Sequence, residues 1–319
     1  MTIWIIFIAV IMLFLALDLG VFNRKAHIIK TKEASIWTTI WITVALSFSG
    51  VIYWLFNNGL IENPTNLSPN NAVLKYITGY LIELSLSIDN VFVIAVIFSS
   101  FGIPAKYQHR VLFWGILGAI VFRALMIVFG VTLINKFDWI IYVFGAFLLY
   151  TAYKMARSSD TEFDPKNSKI YRFLRKLFPV TQHMDGEKFF IRKMGVRAAT
   201  PLFLALVIIE LTDVLFALDS IPAILAITAD PFIVFSSNIL AILGLRSMYF
   251  LISRMLEKFR YINYSLVVIL GFVGVKMILV HHVEIPEWLS LSVIAVSLIG
   301  GIVASLLIPP SEESPQPIE

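Results

Sequence analysis

Cysteine is absent from the 319 residues, and charge is scarce. Without cysteine the chain forms no disulfide, builds no zinc knuckle or thiolate metal site and offers no thiol nucleophile. Lys, Arg, Asp and Glu together make up 14% of the residues and 59% are hydrophobic, where a soluble domain has about 25% charged. A water-soluble globular protein is thereby excluded. Histidine is sparse as well: His27, His109, His183, His281 and His282 fall in loops or at the ends of apolar runs. His281 and His282, with Glu284 and Glu287, read as a solvated loop rather than a metal-collecting patch.

What the chain has in plenty is apolar runs of about the 20 residues needed to cross about 30 Å of hydrocarbon. Nine are bounded by polar turns: 3–22, 36–56, 73–100, 108–134, 138–156, 199–228, 232–253, 261–281 and 288–308. The expected fold is an all-α polytopic membrane protein. The first run has no basic segment ahead of it, carries Asp18 near its end and is followed by Arg24 and Lys25, so it reads as a retained helix rather than a signal peptide.

Basic residues of short loops stay in the cytoplasm. One alternate set of loops holds Arg24, Lys25, Lys30 and Lys32, then Lys106 and Arg110, then ten residues over 157–197, then Arg254, Lys258 and Arg260. The opposite set contributes Lys136, with Lys75 at the entrance to the third span. The N-terminus is therefore expected outside and the C-terminus inside, in an inner or plasma membrane. The expected organisation is two peripheral helices over 1–56, a three-helix unit over 73–156, a cytoplasmic basic loop over 157–198, a second three-helix unit over 199–281, a last span over 288–308 and a cytoplasmic tail over 309–319. In the basic loop Phe173, Leu174, Leu177 and Phe178 have the spacing of a short amphipathic helix. Its basic surface is read as a marker of topology rather than a lipid or regulator site.

The two three-helix units repeat their charged landmarks in order. The third span holds Glu83-Leu-Ser-Leu-Ser-Ile-Asp89-Asn90 and the sixth Asp213-Val-Leu-Phe-Ala-Leu-Asp219-Ser220. Arg123 and Arg246 follow one span later, and Lys154-Met155 and Lys276-Met277 close the units. Three spans per unit is an odd number, so the second copy enters the membrane inverted, and a 3+3 inverted repeat is expected to bring the corresponding acids together near mid-bilayer.

Six acids fall within spans: Asp18, Glu83, Asp89, Glu210, Asp213 and Asp219. At about 3 kcal/mol each they would cost on the order of 15–20 kcal/mol in lipid, so they must face one another, a base or water. Arg123, Arg246 and Lys276 are read as their structural ion-pair partners, with Lys154 nearer the cytoplasmic edge. The excess of negative charge suits a divalent cation or protons. Ser85, Ser87, Asn90, Thr212 and Ser220 add neutral oxygens beside the acidic sets. Glu83, Asp89, Asn90, Asp213, Asp219 and Ser220 are the candidate metal ligands, Glu210, Thr212 and Asp18 the candidate proton carriers or supports. Carboxylates, amides and hydroxyls are hard donors that suit Mn²⁺, Mg²⁺ or Ca²⁺ rather than Cu⁺ or Zn²⁺.

Residues six apart on a helix are separated by about 240°, so Glu83 and Asp89 share a face only if the third span unwinds near them. Pro222, three residues after Asp219, predicts a break in the sixth.

The motifs Glu83-x5-Asp89-Asn90-Val-Phe, Asp138-Trp-Ile-Ile-Tyr-Val-Phe-Gly-Ala-Phe, Glu210-x2-Asp213-x5-Asp219-Ser220-Ile-Pro222-Ala and Asn238-x5-Gly244-Leu-Arg246-Ser-Met-Tyr resemble the TerC family, most closely its Alx branch. The resemblance runs from about Asp18 to Val280 and implies manganese export, with links to tellurite resistance, alkaline response and metal supply to secreted enzymes. It places Glu83, Asp89, Asn90, Asp213, Asp219 and Ser220 at the family's acidic-motif positions. The expected function is a proton-coupled exporter of Mn²⁺ as transported ion, with no resident cofactor and no nucleic-acid partner. The alternative is a membrane metal-delivery protein that hands manganese to exported enzymes through a partner. An intramembrane hydrolase using two aspartates is disfavoured by the basic partners and the many neutral donors, so no enzyme activity is expected.

Overall fold

In the computed structural model, which describes residues 2–17, 31–63, 66–137, 139–157, 179–181, 184–193, 196–253, 261–280, 282–283 and 285–307, the nine apolar runs are nine helices. They are α1 (Thr2–Leu17), α2 (Thr31–Asn57), α3 (Pro69–Ser100), α4 (Ala105–Lys136), α5 (Ile140–Arg157), α6 (Pro201–Leu225), α7 (Pro231–Ile252), α8 (Ile262–Leu279) and α9 (Glu287–Leu307). Six of them, α2, α3, α4, α6, α7 and α9, are long and apolar enough to cross a membrane, and α1 and α8 are apolar but shorter. The outward faces of α4, α5 and α9 carry Leu125, Val128, Phe129, Tyr150 and Val296, as a hydrocarbon surround requires. Asp18, Asp138, His27, His183, His281 and Glu284, the stretch with Phe173, Leu174, Leu177 and Phe178, and the tail 309–319 lie outside the described residues.

The basic loop contains an element its composition did not announce. Strands β1 (Phe190–Lys193) and β2 (Val196–Ala199) pair antiparallel, Phe190 opposite Ala199 and Arg192 opposite Arg197. Thr181 and Ala199 extend the ladder through the bonds Thr181 N to Ala199 O and Ala199 N to Pro179 O. The hairpin is tied to the bundle by Arg110, which pairs with Glu187 at 3.2 Å and lies over the Phe189 ring, and by the stacking of Phe190 on Phe203.

Three helices start on a capping residue followed by proline: Ser68-Pro69, Thr200-Pro201 and Asp230-Pro231. Proline fits the first helical position because its missing N–H would be unpaired there anyway. Asp230 is the strongest of these caps, its Oδ1 accepting from the N–H groups of Phe232 and Ile233, each at 3.0 Å. Burial raises the Asp230 carboxyl above its ordinary range, against these two bonds and the charge of Lys75. The folded chain therefore holds this proton more tightly than the unfolded chain. The stabilisation is full below the unfolded value of about 3.9 and is lost as pH rises through the raised folded value. Asp230→Asn keeps a good cap without titrating, so its melting temperature relative to the native chain is expected to rise between about pH 4 and pH 7. Melting curves in detergent across that range check this, and a constant difference contradicts it.

Neighbours in sequence are not the main neighbours in space. α3 packs on α7 and α6, α4 on α6 and α7, and α5 on α8, while α2 leans on α7 and α3, and α9 on α8 and α3. α7 is buried almost all round, which is why it shows no apolar stripe. α1 seats Trp4 and Phe7 against Phe232 and Phe235. α5 and α8 approach so closely at Gly145 and Gly274 that a Cβ on Gly145 would lie 2.9 Å from Ile278 Cγ1 and 3.1 Å from the Gly274 carbonyl. Gly145→Ala is expected to push the helices apart and cost about 1–3 kcal/mol, read as a lower melting temperature; an unchanged melt would contradict the tight crossing.

The anticipated breaks are not there. α3 is helical from Pro69 to Ser100 and α6 from Pro201 to Leu225, so neither helix unwinds beside its acids. Pro222 falls in the last turn of α6, where the chain leaves the helix through the bond from Ala226 N to Pro222 O.

Candidate functional site

An unbroken helix sets which residues converge. Positions seven apart lie within about 20° of each other, so Glu83 and Asn90 share one face of α3, and Asp213 and Ser220 one face of α6. The crossing of α3 and α6 brings these faces together, and Arg123 of α4 enters between them. Arg123 is 1% exposed and Glu83 fully buried.

Arg123 grips Asp213 with two prongs, Nε to Oδ2 at 3.1 Å and Nη2 to Oδ1 at 2.8 Å. Its Nη1 donates to Glu83 Oε1, and lies 3.4 Å from both Ser220 Oγ and Asn238 Oδ1. Asn238 of α7 closes the ring by donating Nδ2 to Glu83 Oε2 at 2.9 Å, and Asn90 Nδ2 donates to Asp213 Oδ1 at 3.3 Å. Two carboxylates against one guanidinium leave the cluster with a formal charge of −1. Buried charges persist only when paired and hydrogen-bonded, and here every one of the three is.

Asp219, one position before Ser220, is turned about 100° away from it. Its Oδ1 accepts from Thr151 Oγ1 of α5 at 3.0 Å. It faces a cavity of about 220 Å³ whose polar lining also includes Glu83, Asn90, Lys154 and Ser220. A smaller cavity of about 20 Å³ is lined by Asn90, Thr212, Asp213 and Arg246 among others, and Phe216 borders both. Asn90 Oδ1 is buried and has no hydrogen-bond partner among the described residues. Asp219, that amide oxygen, Ser220 and Thr151 are hard oxygen donors at one cavity, and this chemistry fits a divalent cation such as Mn²⁺.

The other sequence candidates separate. The backbone of Asp89 is part of α3, and its side chain lies outside what the structure describes. Glu210 presses its carboxyl against Gly118 of α4, where a Cβ would overlap it, and its Oε2 is buried without a hydrogen-bond partner among the described residues. Ser85 and Thr212 turn their hydroxyls back onto Leu81 O and Ile208 O of their own helices. Arg246 Nη1 lies 3.0 Å from His109 Nε2, and Lys276 donates to Ser290 Oγ at 2.9 Å; the central carboxylates Glu83 and Asp213 are met by Arg123. Among the described residues no three histidine, aspartate or glutamate side chains converge on a metal position. Thr151 was missed because a threonine inside a helix ordinarily bonds its own backbone. Asn238 carried a signal, an amide in the interior of an apolar span that also holds Arg246.

The model of the family described as integral membrane protein TerC matches residues 68–313. A membrane protein of Myxococcus xanthus is 50% identical over 304 residues, 95% of this chain and 92% of that one. Alx of Escherichia coli strain K12, described as a proposed membrane-bound redox modulator, is 46% identical over 292 residues, 91% of this chain and 90% of its own. A membrane protein of Rickettsia bellii is 43% identical over 304 residues, 95% and 97% of the two chains. No solved structure matches.

Proposed function

This chain belongs to the TerC family of integral membrane proteins, and from that premise we propose that it exports Mn²⁺ from the cytoplasm through the Asp219 cavity. The observation that carries the reading is the set of oxygens around that cavity, with Asp219 accepting from Thr151 near Lys154 and Asn90 Oδ1 unpartnered among the described residues. An ion shedding its water needs such oxygens. The inverted repeat is supported by the packing: exchanging α3, α4 and α5 for α6, α7 and α8 maps the α3–α7 contact onto α6–α4 and leaves α3–α6, α4–α7 and α5–α8 in place. The placement of the basic loops supports an outer N-terminus and a cytoplasmic hairpin. Glu210, a carboxyl buried against α4, is the proposed proton carrier. Collapse of the proton gradient by an ionophore is expected to stop Mn²⁺ flux, and undiminished flux would remove the coupling.

The redox description of the relative from E. coli comes to a chain that has no thiol. A redox effect of this protein runs through the metal content of the cell in this reading, not through disulfides. The test is direct binding. Electron paramagnetic resonance of Mn²⁺ titrated into purified protein is expected to show its signal quenched on binding, with Thr151→Val weakening the affinity about fivefold by removing one hydrogen bond from Asp219. An affinity indifferent to Thr151→Val would move the ion away from this cavity.

A further inference from the structure

We infer that Arg123 is a tethered counter-cation that seals the wall between the two cavities and gives way to the transported ion, an inference that rests on the reading of the Asp219 cavity as a divalent-cation site. The two cavities share Asn90 and Phe216 as common lining. Glu83 and Arg123 face the larger one and Asp213 the smaller one, so the Arg123–Asp213 fork, at 2.8 and 3.1 Å, runs through the partition itself. Asn90, 4% exposed, stands in the same wall with its Oδ1 unpartnered among the described residues.

While Arg123 holds both oxygens of Asp213 and one of Glu83, these carboxylates already carry a cation. An ion bound at Asp219 and Asn90 reaches the second cavity only when Arg123 releases Asp213. A monovalent ion offers the carboxylates no more charge than the guanidinium does, so the exchange favours a divalent one. Arg123 thus sets both the barrier between the cavities and the charge class that crosses it. It is a positioning residue and needs no contact with the ion.

The test compares Arg123→Gln and Arg123→Lys with the native chain by Mn²⁺ titration and melting. With the competing charge gone, Arg123→Gln is expected to melt lower without Mn²⁺, to bind Mn²⁺ at least about tenfold more tightly than the native chain, and to lose turnover. Arg123→Lys keeps the charge and is expected to bind no more tightly than native. Folded Arg123→Gln that binds Mn²⁺ as the native chain does, or more weakly, would overturn the inference, because a merely structural arginine would loosen the site when removed. A second measurement leaves Arg123 in place: in this cysteine-free chain, Phe216→Cys gives one thiol in the partition, and saturating Mn²⁺ is expected to raise its labelling rate. An unchanged rate would also overturn it. A native chain that binds no Mn²⁺ at all would instead defeat the cation-site reading on which the inference stands.

Discussion

Asp213→Ala is expected to destabilise the folded chain by about 3–5 kcal/mol. The change removes both acceptors of the Arg123 fork and the partner of Asn90 Nδ2. It leaves a guanidinium buried to 1% exposure with Glu83 as its remaining carboxylate. The cost comes from the two lost bonds of the fork and from buried guanidinium N–H groups left without acceptors, since Glu83 still balances the charge of Arg123. Combining Asp213→Ala with Arg123→Met leaves Glu83 buried without its cation, so the double variant is expected to recover none of the loss. Thermal melting in detergent, arranged as a double-mutant cycle, measures the coupling. An Asp213→Ala protein as stable as the native chain would mean that Arg123 is not held as described.

Asp219→Asn is expected to do the opposite: to leave stability nearly untouched and to reduce Mn²⁺ flux on the order of 100-fold, since the charge count of the ligands sets cation affinity over decades. The side chain is isosteric, and its amide oxygen can still accept from Thr151 Oγ1. What is lost is one negative charge at the cavity. Flux assays on folded protein, together with a melt, separate the two acids of α6. If Asp219→Asn transports like the native chain, the cavity is not the ion's route. Equal behaviour of the two variants would mean that α6 does not divide its acids between an internal pair and an open site.

The spans were legible because a hydrocarbon solvent demands about 20 apolar residues at a time, and the turns between α3 and α4, with Gly102 and Pro104, and between α6 and α7, with Thr228 and Asp230, are short. The acidic motif was legible as a site but not in its internal geometry. Pairing Glu83 with Asp89 required an unwound helix, whereas the unbroken α3 and α6 join Glu83 to Asn90 and Asp213 to Ser220 at a spacing of seven, and send Asp219 to a different partner. The bases were equally visible and are not equivalent. Arg123 meets two carboxylates, and Arg246 lies beside His109, contacts set by which helices pack alongside rather than by the local sequence. Hairpin β1–β2 escaped notice because its mixed charge reads as a loop, and two four-residue strands carry little periodicity. Thr151 has no local signal at all; it matters only because α5 passes Asp219.

The central claim is most directly tested by Mn²⁺ flux into proteoliposomes that hold only the purified chain, with Mg²⁺, Ca²⁺ and Zn²⁺ as competitors and Asp89→Ala and Asp219→Asn as comparisons. Saturable Mn²⁺ flux that both substitutions abolish in folded protein is the predicted result. Absence of flux from folded, correctly oriented native protein would contradict it and leave delivery of manganese through a partner as the better account.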